Sequence, residues 1–130
     1  MTANILDGKL VANTIKQKLV DRIATVTANL NRPPSLAVIL VGSDYASKLY
    51  TGIKHRACAE IGIRSVNHEL HSGISQADVL KLIDELNSDN NIDGILVQLP
   101  LPSHIDKSII LSRISHEKDV DGLTPFSCGA

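Results

Sequence analysis

Apolar positions along the chain switch between two periods. From Asp7 to about Asn31, Val11, Ile15, Leu19, Ile23, Val26 and Leu30 recur at helical spacing. Asp7 is placed to cap that helix, and Pro33-Pro34 ends it. Leu36 to Val41 is then an unbroken apolar run closed by Gly42, which predicts a strand buried on both faces. A second helix is predicted from about Ala46 to Ile61. Its apolar stripe is Leu49, Ile53, Ala57 and Ile61, expected to pack on the sheet, with Gly62 as its stop. Arg64 to Leu70 alternates loosely, as a strand would. Ser75-Gln76-Ala77-Asp78 has the form of a capping box and opens a third helix through Val79, Leu82, Ile83 and Leu86. Asn87 to Asp93 is polar and turn-forming, and Gly94 to Val97 is a third buried strand. A short helix follows from about Asp106 to Ile114, and His116 to Ala130 carries no period and is expected to be irregular.

Helices alternating with short apolar strands predict an α/β fold, three-layer αβα with a mostly parallel sheet and right-handed crossovers. In such sheets ligands gather beyond the carboxyl ends of the strands. Two of those ends are Gly42-Ser43-Asp44 and Gln98-Leu99-Pro100. On the second helix, Ser47, Tyr50 and Lys54 fall at i, i+3 and i+7, on one face. A polar line starting at that edge could border a cleft; a solvated helix face has the same spacing.

Composition narrows the chemistry. Thirteen basic and 14 acidic residues in 130 give a formal charge of −1 with no long charged run, which argues against a nucleic-acid partner. No apolar run is long enough to span a bilayer and no signal sequence opens the chain, so no membrane partner and a cytoplasmic location are expected. Cys58 and Cys128 lack CxxC spacing and read as reduced thiols. The five histidines, at 55, 68, 71, 104 and 116, lack metal-ligand spacing, so no metal is expected. Neither GxGxxG nor GxxxxGK[ST] occurs, so no phosphate-cradling loop is claimed.

Three segments go further. Val41-Gly42-Ser43-Asp44-Tyr45-Ala46-Ser47-Lys48-Leu49-Tyr50 with Lys54 is one. Leu86-Asn87-Ser88-Asp89 through Gly94-Ile95-Leu96-Val97-Gln98-Leu99-Pro100-Leu101-Pro102 is another, and Lys118-Asp119-Val120-Asp121-Gly122 is the third. In order and spacing they resemble the VGxxxASxxYxxxK, LNxD…GILVQLPLP and KDVDG motifs of the bifunctional methylenetetrahydrofolate dehydrogenase/methenyltetrahydrofolate cyclohydrolase family. The resemblance covers essentially the whole chain. It implies oxidation of 5,10-methylenetetrahydrofolate to 5,10-methenyltetrahydrofolate with NADP or NAD, then hydrolysis to 10-formyltetrahydrofolate.

Carried over by motif position, Lys54 is the catalytic lysine and Gln98 the glutamine that orients it. Tyr50 packs on the folate rings and can join the lysine's network. Asp121 is the carboxylate that binds the pterin, whose paired N–H donors suit a bidentate acceptor. Ser47 and Pro100 complete the substrate site. On residues alone, Gln98 could merely end a strand and Asp121 merely cap an Asp-Gly turn.

The resemblance also implies a second, Rossmann-type domain that holds the nicotinamide cofactor and makes most of a homodimer. Residues 1–130 are therefore expected to be the N-terminal folate-binding catalytic domain, with no cofactor-binding residues of its own and no dehydrogenase activity by itself; its own oligomeric state is left open. An isolated folate-binding module without turnover, and a plain α/β interaction domain, are the alternatives.

Overall fold

In the computed structural model, residues 8–42 and 44–120 are described. Their order is α1 (Gly8–Leu30), β1 (Ser35–Val41), α2 (Tyr45–Ile61), β2 (Arg64–Leu70), α3 (Gln76–Ser88), β3 (Gly94–Val97) and α4 (Lys107–Arg113). The sheet runs β2-β1-β3 and both pairings are parallel, with Leu36 beside Ser65 on one side and Gly94 on the other. Every predicted helix and strand is present. Asp7, the expected cap of α1, lies outside the described residues.

The central strand shows why its run is continuously apolar. Ala37, Ile39 and Val41 join Ile95 and Val97 in a core with Val79, Ile83 and Leu86 of α3 and Ile110 and Leu111 of α4. Val38, Leu40 and Leu96 are equally buried, and strand alternation turns them to the opposite face, where α2 lies against β1 and β2. The result is the three-layer α/β arrangement with a parallel sheet.

Capping follows local chemistry. The Ser75 hydroxyl accepts from the Asp78 amide at 3.1 Å and starts α3, and the Asp106 carboxylate accepts from the Ser108 and Ile109 amides at the head of α4. Gly62 ends α2 at φ 95°, a left-handed conformation that glycine adopts without steric cost.

Two expectations need correction. The Leu49/Ile53/Ala57 stripe of α2 does not pack on the sheet; Leu49 and Ile53 are each 47% exposed. The buried positions are Ser47 and Thr51, at 2% and 3%, with Lys54 and Cys58 partly covered on the same side. Hydropathy misleads here because the buried hydroxyls are satisfied. Thr51 Oγ1 donates to the Ser47 carbonyl at 2.7 Å, and Ser47 has partners of its own described below. A polar group that keeps its hydrogen bonds loses little on burial, and short side chains permit close approach.

The second correction concerns the segment after His116. It is not wholly irregular: Asp119 bridges Ile95 in parallel, and the Ile95 amide donates to the Lys118 carbonyl at 2.7 Å, extending the sheet beyond β3. Gly94 makes that approach possible, since a Cβ there would stand 2.6 Å from Val120 Cγ1.

The amino edge of the sheet is tied by charge. Arg32 donates from both terminal nitrogens to the Asp93 carboxylate, at 2.7 and 2.9 Å, and also to the Asn90 carbonyl. Asp93 further accepts from the Ser35 amide at 2.8 Å. Lys118 Nζ donates to the carbonyls of Leu86 and Asp89, both at 2.8 Å, closing the C-terminal end of α3.

Candidate functional site

The carboxyl edge is built differently. All strands being parallel, Gly42 follows β1 on the same edge where Gln98 follows β3. Asp44 caps α2 there, its Oδ2 accepting from the Ser47 amide at 3.1 Å. This starts α2 with Ser47 turned inward and sets the phase of everything after it. One turn on, Tyr50 stands at the surface, 57% exposed. Lys54, two turns on, reaches over the sheet end, and its Nζ donates to Gln98 Oε1 at 3.0 Å.

Gln98 is held on its other side as well. Its Nε2 donates to the Leu99 carbonyl at 3.1 Å. Ser47 Oγ lies 2.9 Å from Asp44 Oδ2 and 3.4 Å from the same Leu99 carbonyl. The Leu99–Pro100 peptide is cis, and Pro100 is exposed beside this cluster in sequence.

The structure thus brings Lys54 and Gln98 into contact and places Ser47 beneath them. Ser47 is buried and engaged with protein groups, while Tyr50 presents an open aromatic ring. Asp121 lies outside the described residues. Sequence reasoning passed over two participants: the Asp44 carboxylate and the Leu99 carbonyl. Asp44 had a signal, an acceptor three residues ahead of a helical serine, which is N-cap spacing. A backbone carbonyl has none.

The electrostatics are mild. Lys54 faces a neutral amide, and it takes part in none of the ion pairs among the described residues. One turn further on, burial pushes the Cys58 thiol above its ordinary pKa, with the Lys54 charge pulling weakly the other way. Cys58 is a free thiol. Among the described residues, no group of three or more His, Cys, Asp or Glu is arranged to hold a metal, and no helix is long and apolar enough to cross a membrane.

An amine beside a neutral acceptor at the open end of a sheet can exchange protons with a bound molecule while keeping its position. A carboxylate in the place of Gln98 would instead add a charge to the contact.

Comparisons with known proteins agree on one family. The family model described as tetrahydrofolate dehydrogenase/cyclohydrolase, catalytic domain, matches residues 6–121. The bifunctional methylenetetrahydrofolate dehydrogenase/cyclohydrolase of Campylobacter jejuni is 44% identical with a TM-score of 0.91, over 95% of this chain and 43% of that one. The 5,10-methylenetetrahydrofolate dehydrogenase of the silkworm Bombyx mori is 40% identical with a TM-score of 0.91, over 98% of this chain and 44% of that one. The Trypanosoma brucei dehydrogenase-cyclohydrolase, solved with NADP cofactor and inhibitor, is 36% identical with a TM-score of 0.89, over 98% and 43%. The chain therefore spans less than half the length of these relatives.

Proposed function

This chain belongs to the tetrahydrofolate dehydrogenase/cyclohydrolase family by its catalytic domain, and on that basis we propose that residues 1–130 are the N-terminal folate-binding domain of an enzyme acting on one-carbon units carried by tetrahydrofolate. The reactions are oxidation of 5,10-methylenetetrahydrofolate to the 5,10-methenyl compound and hydrolysis of that compound to 10-formyltetrahydrofolate. NADP, or NAD, accepts the hydride when bound. No glycine-rich phosphate loop occurs in the sequence, so these residues do not fit a dinucleotide, which is assigned to a Rossmann domain outside this chain. The longer protein is expected to be a cytoplasmic homodimer.

The observation that carries this reading is the 3.0 Å pair of Lys54 and Gln98 at the carboxyl edge. In the hydrolysis, water adds to the methenyl carbon, forming a C–O bond and giving up a proton. That first proton goes to solvent, because the methenyl compound is a cation. The hydroxyl left on the carbon then gives up its own proton as the bond to N5 breaks and N5 takes a proton, leaving the formyl group on N10. Lys54 moves the proton between those two places. Gln98 accepts one of its N–H bonds and fixes where the nitrogen sits without a competing charge. The exposed Tyr50 ring offers a face for the folate rings. Asp121 binds the pterin donors as a bidentate acceptor, Pro100 borders the same space, and Ser47 supports it from its buried position.

Titration calorimetry of this chain with tetrahydrofolate tests the site. Saturable binding is expected, weakened about tenfold or more by Asp121→Ala, since a hydrogen bond to a charged group contributes roughly 1.5–3 kcal/mol. An unchanged dissociation constant in the variant would remove Asp121 from the site, and no binding by the parent chain would sink the folate reading. A parallel hydrolysis assay separates turnover from simple binding.

A further inference from the structure

The Lys54–Gln98 contact depends on which way the Gln98 amide is turned. With Oε1 toward Lys54 it accepts; turned over, Nε2 would present donors to an ammonium that is itself a donor. The choice is made on the far side of the amide, where the Leu99 carbonyl takes the Nε2 hydrogen at 3.1 Å. That carbonyl belongs to the chain just past β3, and the hydroxyl that reaches it from α2 is Ser47 Oγ, at 3.4 Å across 52 positions. Ser47 in turn is held by Asp44, whose Oδ2 takes both its amide and its hydroxyl, at 3.1 and 2.9 Å. The hydroxyl's one proton is shared between the carboxylate and the carbonyl, with the carboxylate closer. Ser47 is 2% exposed, so water does not readily substitute for either bond.

We propose that Asp44 and Ser47 are positioning residues. Together they tie the Leu99 carbonyl to α2, and through it they keep the oxygen of the Gln98 amide, rather than its nitrogen, facing Lys54. Neither needs to touch a substrate. This deepens the assignment of Lys54 and Gln98 above and rests on it for its meaning in the reaction. The lock itself is a property of the unliganded chain and is measurable without folate.

The experiment is nuclear magnetic resonance of the uniformly labelled chain, reading the Gln98 side-chain amide. In the parent chain its Nε2 protons are expected to exchange slowly and to show no cross-peak to the Lys54 methylenes. Ser47→Ala is expected to speed that exchange about threefold to tenfold, the scale of one net hydrogen bond, and to bring up the cross-peak as the amide turns. Backbone amide protection along β1 serves as the check that the sheet is intact. Asp44→Ala, at an exposed position, frees the hydroxyl proton for the Leu99 carbonyl but removes the cap on the Ser47 amide. With the first turn of α2 no longer held, Ser47 is expected to leave its place, so the variant acts in the same direction and decides the matter if Ser47→Ala does not fold. Asp44→Asn keeps an oxygen able to take both bonds and is expected to restore the slow exchange. Unchanged Gln98 protection in folded Ser47→Ala and Asp44→Ala chains would overturn the proposal, as would an Asp44→Asn chain that loses protection as fully as Asp44→Ala. Tetrahydrofolate titrations of the same samples keep the two readings apart: binding without the lock defeats only the lock, and the lock without binding defeats only the folate site.

Discussion

The two edges of the sheet use polar groups to opposite ends. At the amino edge, charge meets charge or a helix end: Arg32 grips Asp93, and Lys118 closes the last turn of α3. Arg32 draws the Asp93 carboxyl below its ordinary pKa, mainly through their hydrogen bond; burial opposes this, and the Ser35 amide adds a lesser pull in the same direction as Arg32. At the carboxyl edge the polar groups are as well connected, but Lys54 is met by a neutral amide. Saturated ion pairs fix a scaffold. An amine held in place by a neutral partner is positioned without a fixed counter-charge. The contrast separates framework from candidate chemistry within one sheet.

The largest effect that could break this contrast is Lys54→Ala. With this domain joined to a cofactor-binding domain of its family, methenyltetrahydrofolate hydrolysis is expected to fall about 10²- to 10⁴-fold, the range for a positioned acid–base group. Melting temperature should barely move. A wild-type hydrolysis rate would end the role given to Lys54, and a large loss of stability would make the carboxyl edge a scaffold like the other.

Asp93→Asn should do the reverse. It removes the charge partner of Arg32 and is expected to cost about 1–2 kcal/mol by denaturant unfolding, since a partly exposed pair is screened by solvent. Tetrahydrofolate affinity should be unchanged, and a parallel loss would show the edges to be coupled. The same residue gives the edge an acid dependence. Because its folded pKa lies below the unfolded one, its contribution is complete above the unfolded value and is lost as pH falls through the folded value. Stability should therefore decline below about pH 4 in the parent chain, and less steeply in Asp93→Asn. An identical decline in both would remove the pair from the account. The smallest effect expected is that of Arg113→Ala, which opens a solvent-exposed pair with Asp84 and should move the unfolding midpoint less than Asp93→Asn does. A larger loss would mean that surface pairing in the α3–α4 layer contributes more than its exposure suggests.

Most of the frame was legible because its elements announce themselves locally. The run Leu36–Val41, the cap at Ser75 and the stop at Gly62 each carry their own reason. What could not be read was which side of α2 faces inward. Leu49 and Ile53 promised the sheet, yet Ser47 and Thr51 took it, because the deciding hydrogen bonds run to Asp44 and to a carbonyl 52 positions away. The pairing of Lys54 with Gln98 was expected from motifs rather than from spacing. The part of the Leu99 carbonyl could not be expected at all, since it depends on backbone position and no side chain marks it. The bridge from Asp119 to Ile95 was missed for a similar reason: so short a pairing leaves no period in the sequence.

A sheet whose neighbours are all parallel has no hairpin to start from. Each pairing of β1, with Ser65 on one side and Gly94 on the other, closes a long loop before it gains a contact. Lys54 and Gln98 are 44 positions apart and meet only once both flanking crossovers are in place. The Lys54–Gln98 pair is therefore expected to be absent from a half-folded chain. Its formation should coincide with the last, topology-limited step of folding, so the Lys54–Gln98 contact can serve as a clock for completion of the native fold.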